Sequence, residues 1–153
     1  MRWLLLFAAL LCPGCQSSNI SDTMPAHYTL ALTTAGANQQ FTFFKLDADD
    51  VLHFAGGRDV ITRATKPLLK VTPLQREALW NLVVRYGLHK AKGELFLTDG
   101  KVKYELTIKT GSMFANQKLN AADNEVPGLA ELHQYLMAVR AGVKLDSPLP
   151  GPD

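Results

Sequence analysis

TPLQREALWNLVVRYG, residues Thr72 to Gly87, is the stretch from which the fold can be read. Thr72 is suited to cap a helix, Pro73 to occupy its first turn, and Gln75 to reach back to the cap as a capping box. Gly87 supplies the left-handed residue that closes such a helix. Between them Leu79, Leu82, Val83 and Tyr86 recur at helical spacing, which leaves Gln75, Arg76 and Arg85 for solvent. One apolar stripe of this width predicts a helix laid on a sheet.

The sheet is read on either side of it. Upstream, Tyr28, Leu30 and Leu32 alternate with Thr29, Ala31 and Thr33, the period of a half-buried strand. Phe41 to Leu46 holds three phenylalanines in six residues and is apolar on both faces, so it belongs in the middle of a sheet. Asp47 to Asp50 reads as a turn, Val51 to Ala55 as a third strand, and Gly56-Gly57 as a break open to positive φ. A fourth strand is placed at Val60 to Thr65, ended by Lys66-Pro67.

Downstream, Glu94 to Thr98 and Lys101 to Lys109 flank Asp99-Gly100, a strong hairpin signal. The second arm sends Val102, Tyr104, Leu106 and Ile108 inward and Lys101, Lys103, Glu105, Thr107 and Lys109 outward. Met113 to Leu119 reads as a short edge strand. Pro127 opens a second helix, striped by Leu129, Leu132, Leu136 and Val139 and ended by Gly142. The predicted order is β-β-β-β-α-β-β(-β)-α: an α+β domain with a mostly antiparallel sheet and two helices on one face.

The chain begins MRWLLLFAALLCPGCQSS, with one cation, an apolar run from Trp3 to Leu11 and a Pro-Gly break before Cys15. This is the plan of a secretory signal, and the run is short for a permanent membrane span. Gly14 before Cys15 and the polar Gln16-Ser17-Ser18 after it resemble the lipobox of bacterial lipoproteins. Cys12 and Pro13 stand where that family carries Leu and a small or β-branched residue. The resemblance implies a lipid on Cys15, which becomes the first residue after cleavage, and Gln16 implies the outer membrane, facing the periplasm. Cys12-Pro13-Gly14-Cys15 also has redox spacing, but it lacks the strand before and helix after that lower a thiol's pKa. The domain plan is then 1–14 signal, 15–26 lipidated cysteine and flexible tether, 27–142 folded domain, and 143–153 proline-rich disordered tail. From Tyr28 to Val139, with helix starts at Val71-Thr72-Pro73-Leu74 and Val126-Pro127-Gly128-Leu129, the layout is similar to small uncharacterised domains attached to bacterial lipoprotein signals. That resemblance supplies no catalytic residues.

Composition excludes several classes. Lys and Arg total 16 and Asp and Glu 14, a formal charge of +2 in 153 residues, without the basic excess of a nucleic-acid binder. Beyond Cys15 there is no cysteine, so the domain is stabilised by packing and not by disulfides. His27, His53, His89 and His133 are scattered, with no H-E-x-x-H or H-x-x-x-H to hold zinc. His133 borders an apolar stripe and reads as a packing histidine. Asp47, Asp49 and Asp50 lack the spacing of a calcium loop and read as a turn. No G-x-S-x-G and no phosphate loop is present, and no cofactor is called for.

Lys101, Lys103 and Lys109 project to one side of a single strand, with Lys90 and Lys92 ahead of it. They make the exposed sheet face a candidate contact for an anionic lipid or an acidic protein surface. The sequence therefore points to a non-enzymatic binding or scaffold module anchored in the envelope. The alternative is a periplasmic enzyme, a hydrolase for instance, with a site assembled from separated residues such as His53, Asp99 and Tyr104.

Overall fold

A computed structural model describes residues 20–36, 40–91, 102–111, 126 and 128–142, and the backbone alone of 116–122. The leader 1–14, Cys15, the Glu94 to Thr98 arm, Asp99, Lys101 and the tail 143–153 lie outside the described residues. The elements are β1 (Tyr28–Ala35), β2 (Phe41–Leu46), β3 (Val51–Gly56), α1 (Asp59–Thr62), β4 (Lys66–Lys70), α2 (Pro73–Arg85), β5 (Lys103–Thr110), β6 (Asn116–Ala122) and α3 (Leu129–Arg140). The fold is α+β, as the order of patterns predicts.

The six strands form one antiparallel sheet in the order β4-β3-β2-β1-β5-β6. The first four run as a meander away from β1, and α2 then carries the chain back so that β5 pairs with the free side of β1. Both sides of β5 are thus taken, by β1 from Tyr28↔Thr110 to Ala35↔Lys103 and by β6 from Lys103↔Ala122 to Lys109↔Asn116. Lys103 to Lys109 is thus paired on both sides, while the hairpin arm expected at Glu94 to Thr98 lies outside the described residues. One ladder of β5 runs to β1, far away in sequence.

Strict alternation in β1 buries Tyr28, Leu30, Leu32 and Thr34 on one face. In register with them stand Leu46, Phe44 and Thr42 of β2 and Ile108, Leu106 and Tyr104 of β5. α2 and α3 cover this face. Leu79, Trp80, Leu82 and Val83 come from α2, and Leu129, Leu132, Tyr135, Leu136 and Val139 from α3, to close a single core. The capping box at the start of α2 is complete: the Gln75 amide donates to Thr72 Oγ1 at 3.2 Å, and the Thr72 amide donates to Gln75 Oε1 at 2.9 Å. Gly87 takes φ +62 past its end.

Three expectations are corrected. The fourth strand is Lys66–Lys70, not Val60 to Thr65, where Asp59–Thr62 makes one helical turn. Pro67 does not interrupt that strand, because β4 is an edge and its outer side needs no donor. Arg76 is not a solvent residue: it is 8% exposed, donates to Asp50 Oδ1 at 2.5 Å and to the Ala26 carbonyl at 3.0 Å, and lies over the Tyr28 ring. The tether stops short of residue 26. Ile20 is 2% exposed in the core, and the Asp22 carboxylate accepts from His89 Nε2 at 2.7 Å and Lys90 Nζ at 2.5 Å. The Asp22 carbonyl accepts from Trp80 Nε1 at 3.0 Å. Residues 20–26 thus lie along α2, from its C-terminal end at Asp22 to its first turn at Ala26.

The last helix starts at Leu129, two residues after Pro127, with Gly128 at φ +94 as its cap. A Cβ built on Gly128 would stand 2.1 Å from the Tyr86 ring, so the two helices meet here as closely as backbone allows.

Candidate functional site

The face of the sheet away from α2 and α3 carries the other half of each alternating pattern. Across β2, β1 and β5 its rows are set by register: Lys45, Ala31 and Thr107 in one, Phe43, Thr33 and Glu105 in the next, and Thr29 with Lys109 beyond. Gly57, at φ +60, turns the chain into α1. The link after α1 brings Arg63 and Thr65 over these rows. Arg63 sits at φ +52, the left-handed conformation that ends the short helix, where the Arg63 amide donates to the Val60 carbonyl at 3.1 Å.

The result is a concavity of about 460 Å³, the size of a small-molecule site. Phe43 lies at its floor, 9% exposed, beside Ala31. Thr29, Thr33, Thr65 and Thr107 line it with hydroxyls. Lys45, Arg63 and Lys109 stand exposed around it, with Glu105 half-buried among them. Among the described residues, none of the three cations is ion-paired, and none of the four hydroxyls has a hydrogen-bond partner in the chain.

The lysine group read from the sequence is regrouped by this geometry. Lys109 lines the concavity. Lys103 is on the same face but opposite Ala35, six positions along β5 and about 20 Å away at strand rise, so it is no part of the site. Lys101 lies outside the described residues. The partners of Lys109 are instead Lys45 from β2 and Arg63 from the α1 to β4 link. No local pattern joins these three; what the sequence does show is Lys45 as the one charged residue of β2.

The histidines and aspartates have structural uses. His53, in register with Lys45 on the open face, donates from Nε2 to Asp47 Oδ2 at 2.8 Å. Asp47 Oδ1 accepts from the amides of Asp49 at 3.0 Å and Val51 at 2.9 Å, which fixes the β2–β3 turn. Burial raises the Asp47 pKa, but the hydrogen bonds from His53 and the two amides outweigh it and hold the carboxyl below its ordinary value. Asp50, at φ +63, turns its carboxylate to Arg76. His133 reaches through the helix-covered face to Thr42 Oγ1 at 3.0 Å, which is 2.6 Å from Thr34 Oγ1. Its ring meets Phe44 and Tyr104 edge-on, and burial lowers its pKa.

Of the residues named for a hydrolase, His53 and Tyr104 are not brought together: His53 is on the open face, and Tyr104, 5% exposed, is on the helix-covered face with the sheet between them, while Asp99 lies outside the described residues. Among the described residues no group of three His, Cys, Asp or Glu side chains is placed to hold a metal ion. None of their helices is long and apolar enough to cross a membrane. No protein-family model matches the chain, and no curated protein matches it at a significant level.

Proposed function

We propose that this chain is a non-enzymatic binding module of the bacterial envelope, held by a lipid on Cys15 and taking an anionic partner on the open face of its sheet. The observation that carries the binding half is the set of three unpaired cations from three separate elements around one concavity. Lysines that only keep a strand soluble need not converge; Lys45, Arg63 and Lys109 do, over hydroxyls that can add directed hydrogen bonds to an anion. The anchor half rests on Gly14-Cys15-Gln16 after the apolar run, in the likeness of a lipobox, and implies the outer membrane facing the periplasm.

Each half has its own test. Cys15→Ser abolishes the lipid on the mature N-terminus, seen by mass spectrometry, and releases the protein from the membrane fraction. Unchanged membrane association, with no lipid in either form, removes the anchor. Titrating the non-acylated protein with inorganic phosphate shifts the backbone amides of Lys45, Arg63 and Lys109 together. Shifts of the same size at Lys66, Lys70 and Lys103 reduce the site to diffuse charge attraction.

A further inference from the structure

We infer that the ligand of the open-face concavity is a small hydroxylated anion, of the sugar-phosphate class, drawn from solution and not from the headgroups of the membrane that anchors the chain. This deepens the binding reading above and, for its source, rests on the anchor at Cys15.

The class follows from the lining. Three cations on β2, β5 and the α1 to β4 link outnumber the one carboxylate of the lining, Glu105, and can surround a phosphate or carboxylate from different directions. Charge alone would leave Thr29, Thr33, Thr65 and Thr107 unused. Each threonine hydroxyl both donates and accepts, as sugar hydroxyls do, and all four lack partners within the described chain. Phe43 and Ala31 give the floor a patch against which the carbon face of a ring can lie. A volume of about 460 Å³ suits a compact molecule of this kind.

The source follows from where the chain enters the fold. Ile20 is seated in the helix-covered core, and Asp22 is bound at the C-terminal end of α2 by His89, Lys90 and Trp80. Cys15 is five residues ahead of Ile20, which gives a reach of at most about 18 Å when fully extended. The lipid is thus leashed to the helical layer. The concavity lies on the opposite face of the sheet, with the sheet between it and the point of entry. The short leash keeps the membrane on the side of the sheet where the chain enters, and on this reading the concavity opens toward solution.

Equilibrium dialysis with radiolabelled glucose 6-phosphate tests both parts on the acylated protein in phosphatidylcholine vesicles and on the Cys15→Ser form in solution. The expected result is saturable binding, equal within about twofold in the two forms. Lys45→Glu and Lys109→Glu each weaken it at least tenfold, while circular dichroism and the unfolding midpoint stay as in the parent. Unlabelled glucose fails to compete, and including phosphatidylglycerol in the vesicles changes nothing. Absence of saturable binding, or competition by glucose as strong as by glucose 6-phosphate, overturns the ligand class. Loss of binding on phosphatidylglycerol vesicles overturns the solution source, because it shows that headgroups reach the site. Mass spectrometry of the N-terminus separates these results from failure of the anchor: without lipid on Cys15 the anchored reading falls, and the solution arm still decides the ligand class.

Discussion

The two faces of the sheet use polar side chains in opposite ways. On the helix-covered face, polar groups are matched within the chain: Tyr28 donates to the Arg76 carbonyl at 2.8 Å, Tyr86 to Glu131 at 2.6 Å, and Thr34, Thr42 and His133 form a row. Arg140 rests over the Phe54 ring at 3.8 Å. Only Arg76 Nε and Glu131 Oε2 are buried without a partner among the described residues. Among the described residues, the open face keeps three cations and four hydroxyls unmatched around one hollow. Burying a polar group costs about 1–3 kcal/mol unless it is bonded, so satisfaction on the first face is required by folding. Nothing in folding requires convergence of unmatched groups on the second. That difference separates residues tied into the fold from residues left for the partner we propose.

Substitutions should divide along the same line. Trp80→Ala removes the largest buried side chain and its bond to the Asp22 carbonyl, and should cost about 3–5 kcal/mol in urea unfolding, with residues 20–26 losing protection from hydrogen exchange. Gly128→Ala forces a non-glycine residue to φ +94 against the Tyr86 ring and should cost about 3 kcal/mol. Arg76→Met leaves Asp50 and the Ala26 carbonyl unmatched, at about 2 kcal/mol by the same measurement. If any of these three lowered phosphate binding while leaving the unfolding midpoint in place, the division would fail.

The pH dependence sharpens it further. The folded pKa of His133 is below its ordinary 6.5, so the unfolded chain binds the extra proton first. Its contribution to stability is complete above pH 6.5 and is lost as pH falls from there toward the depressed value. Asp22 and Asp47 are held below their ordinary 3.8, Asp22 first by Lys90 and then by His89. Their contribution is lost only below pH 3.8. Unfolding midpoints measured from pH 8 to pH 3 should fall in two stages, and His133→Phe should flatten the first. The smallest effect on stability is expected from Lys45→Ala with Lys109→Ala, within about 0.5 kcal/mol of the parent, although phosphate binding is lost. A large loss of stability there would make the open face structural after all.

Legibility in the sequence follows the range of the interactions. α2 was readable because Thr72, Pro73, Gln75 and Gly87 act within one helix, and the alternation of β1 and β5 because it repeats locally. The helical pattern points Arg76 to solvent because its partners, Ala26 and Asp50, lie 50 and 26 residues away. The ladder of β5 with β1 joins residues far apart in the chain, so no local pattern announces it. β4 was displaced because Pro67 breaks a central strand and is harmless at an edge. Of the site, Lys109 came from its strand pattern. Lys45 and Arg63 did not, since only the β1–β2 register and the left-handed turn at Arg63 bring them to it.

The segment from Ile20 to Ala26 also determines how the domain answers a mechanical load. Tension on the N-terminal end of the chain reaches Ile20 and the contacts of Asp22 with Trp80, His89 and Lys90 before it reaches Tyr28. These contacts can peel one after another while both ladders of β1 remain intact. The Arg76 bond to Ala26 is the last of them. The segment is therefore a fuse in series with the sheet: it yields first, and the strand at the centre of the fold is loaded only after it has gone.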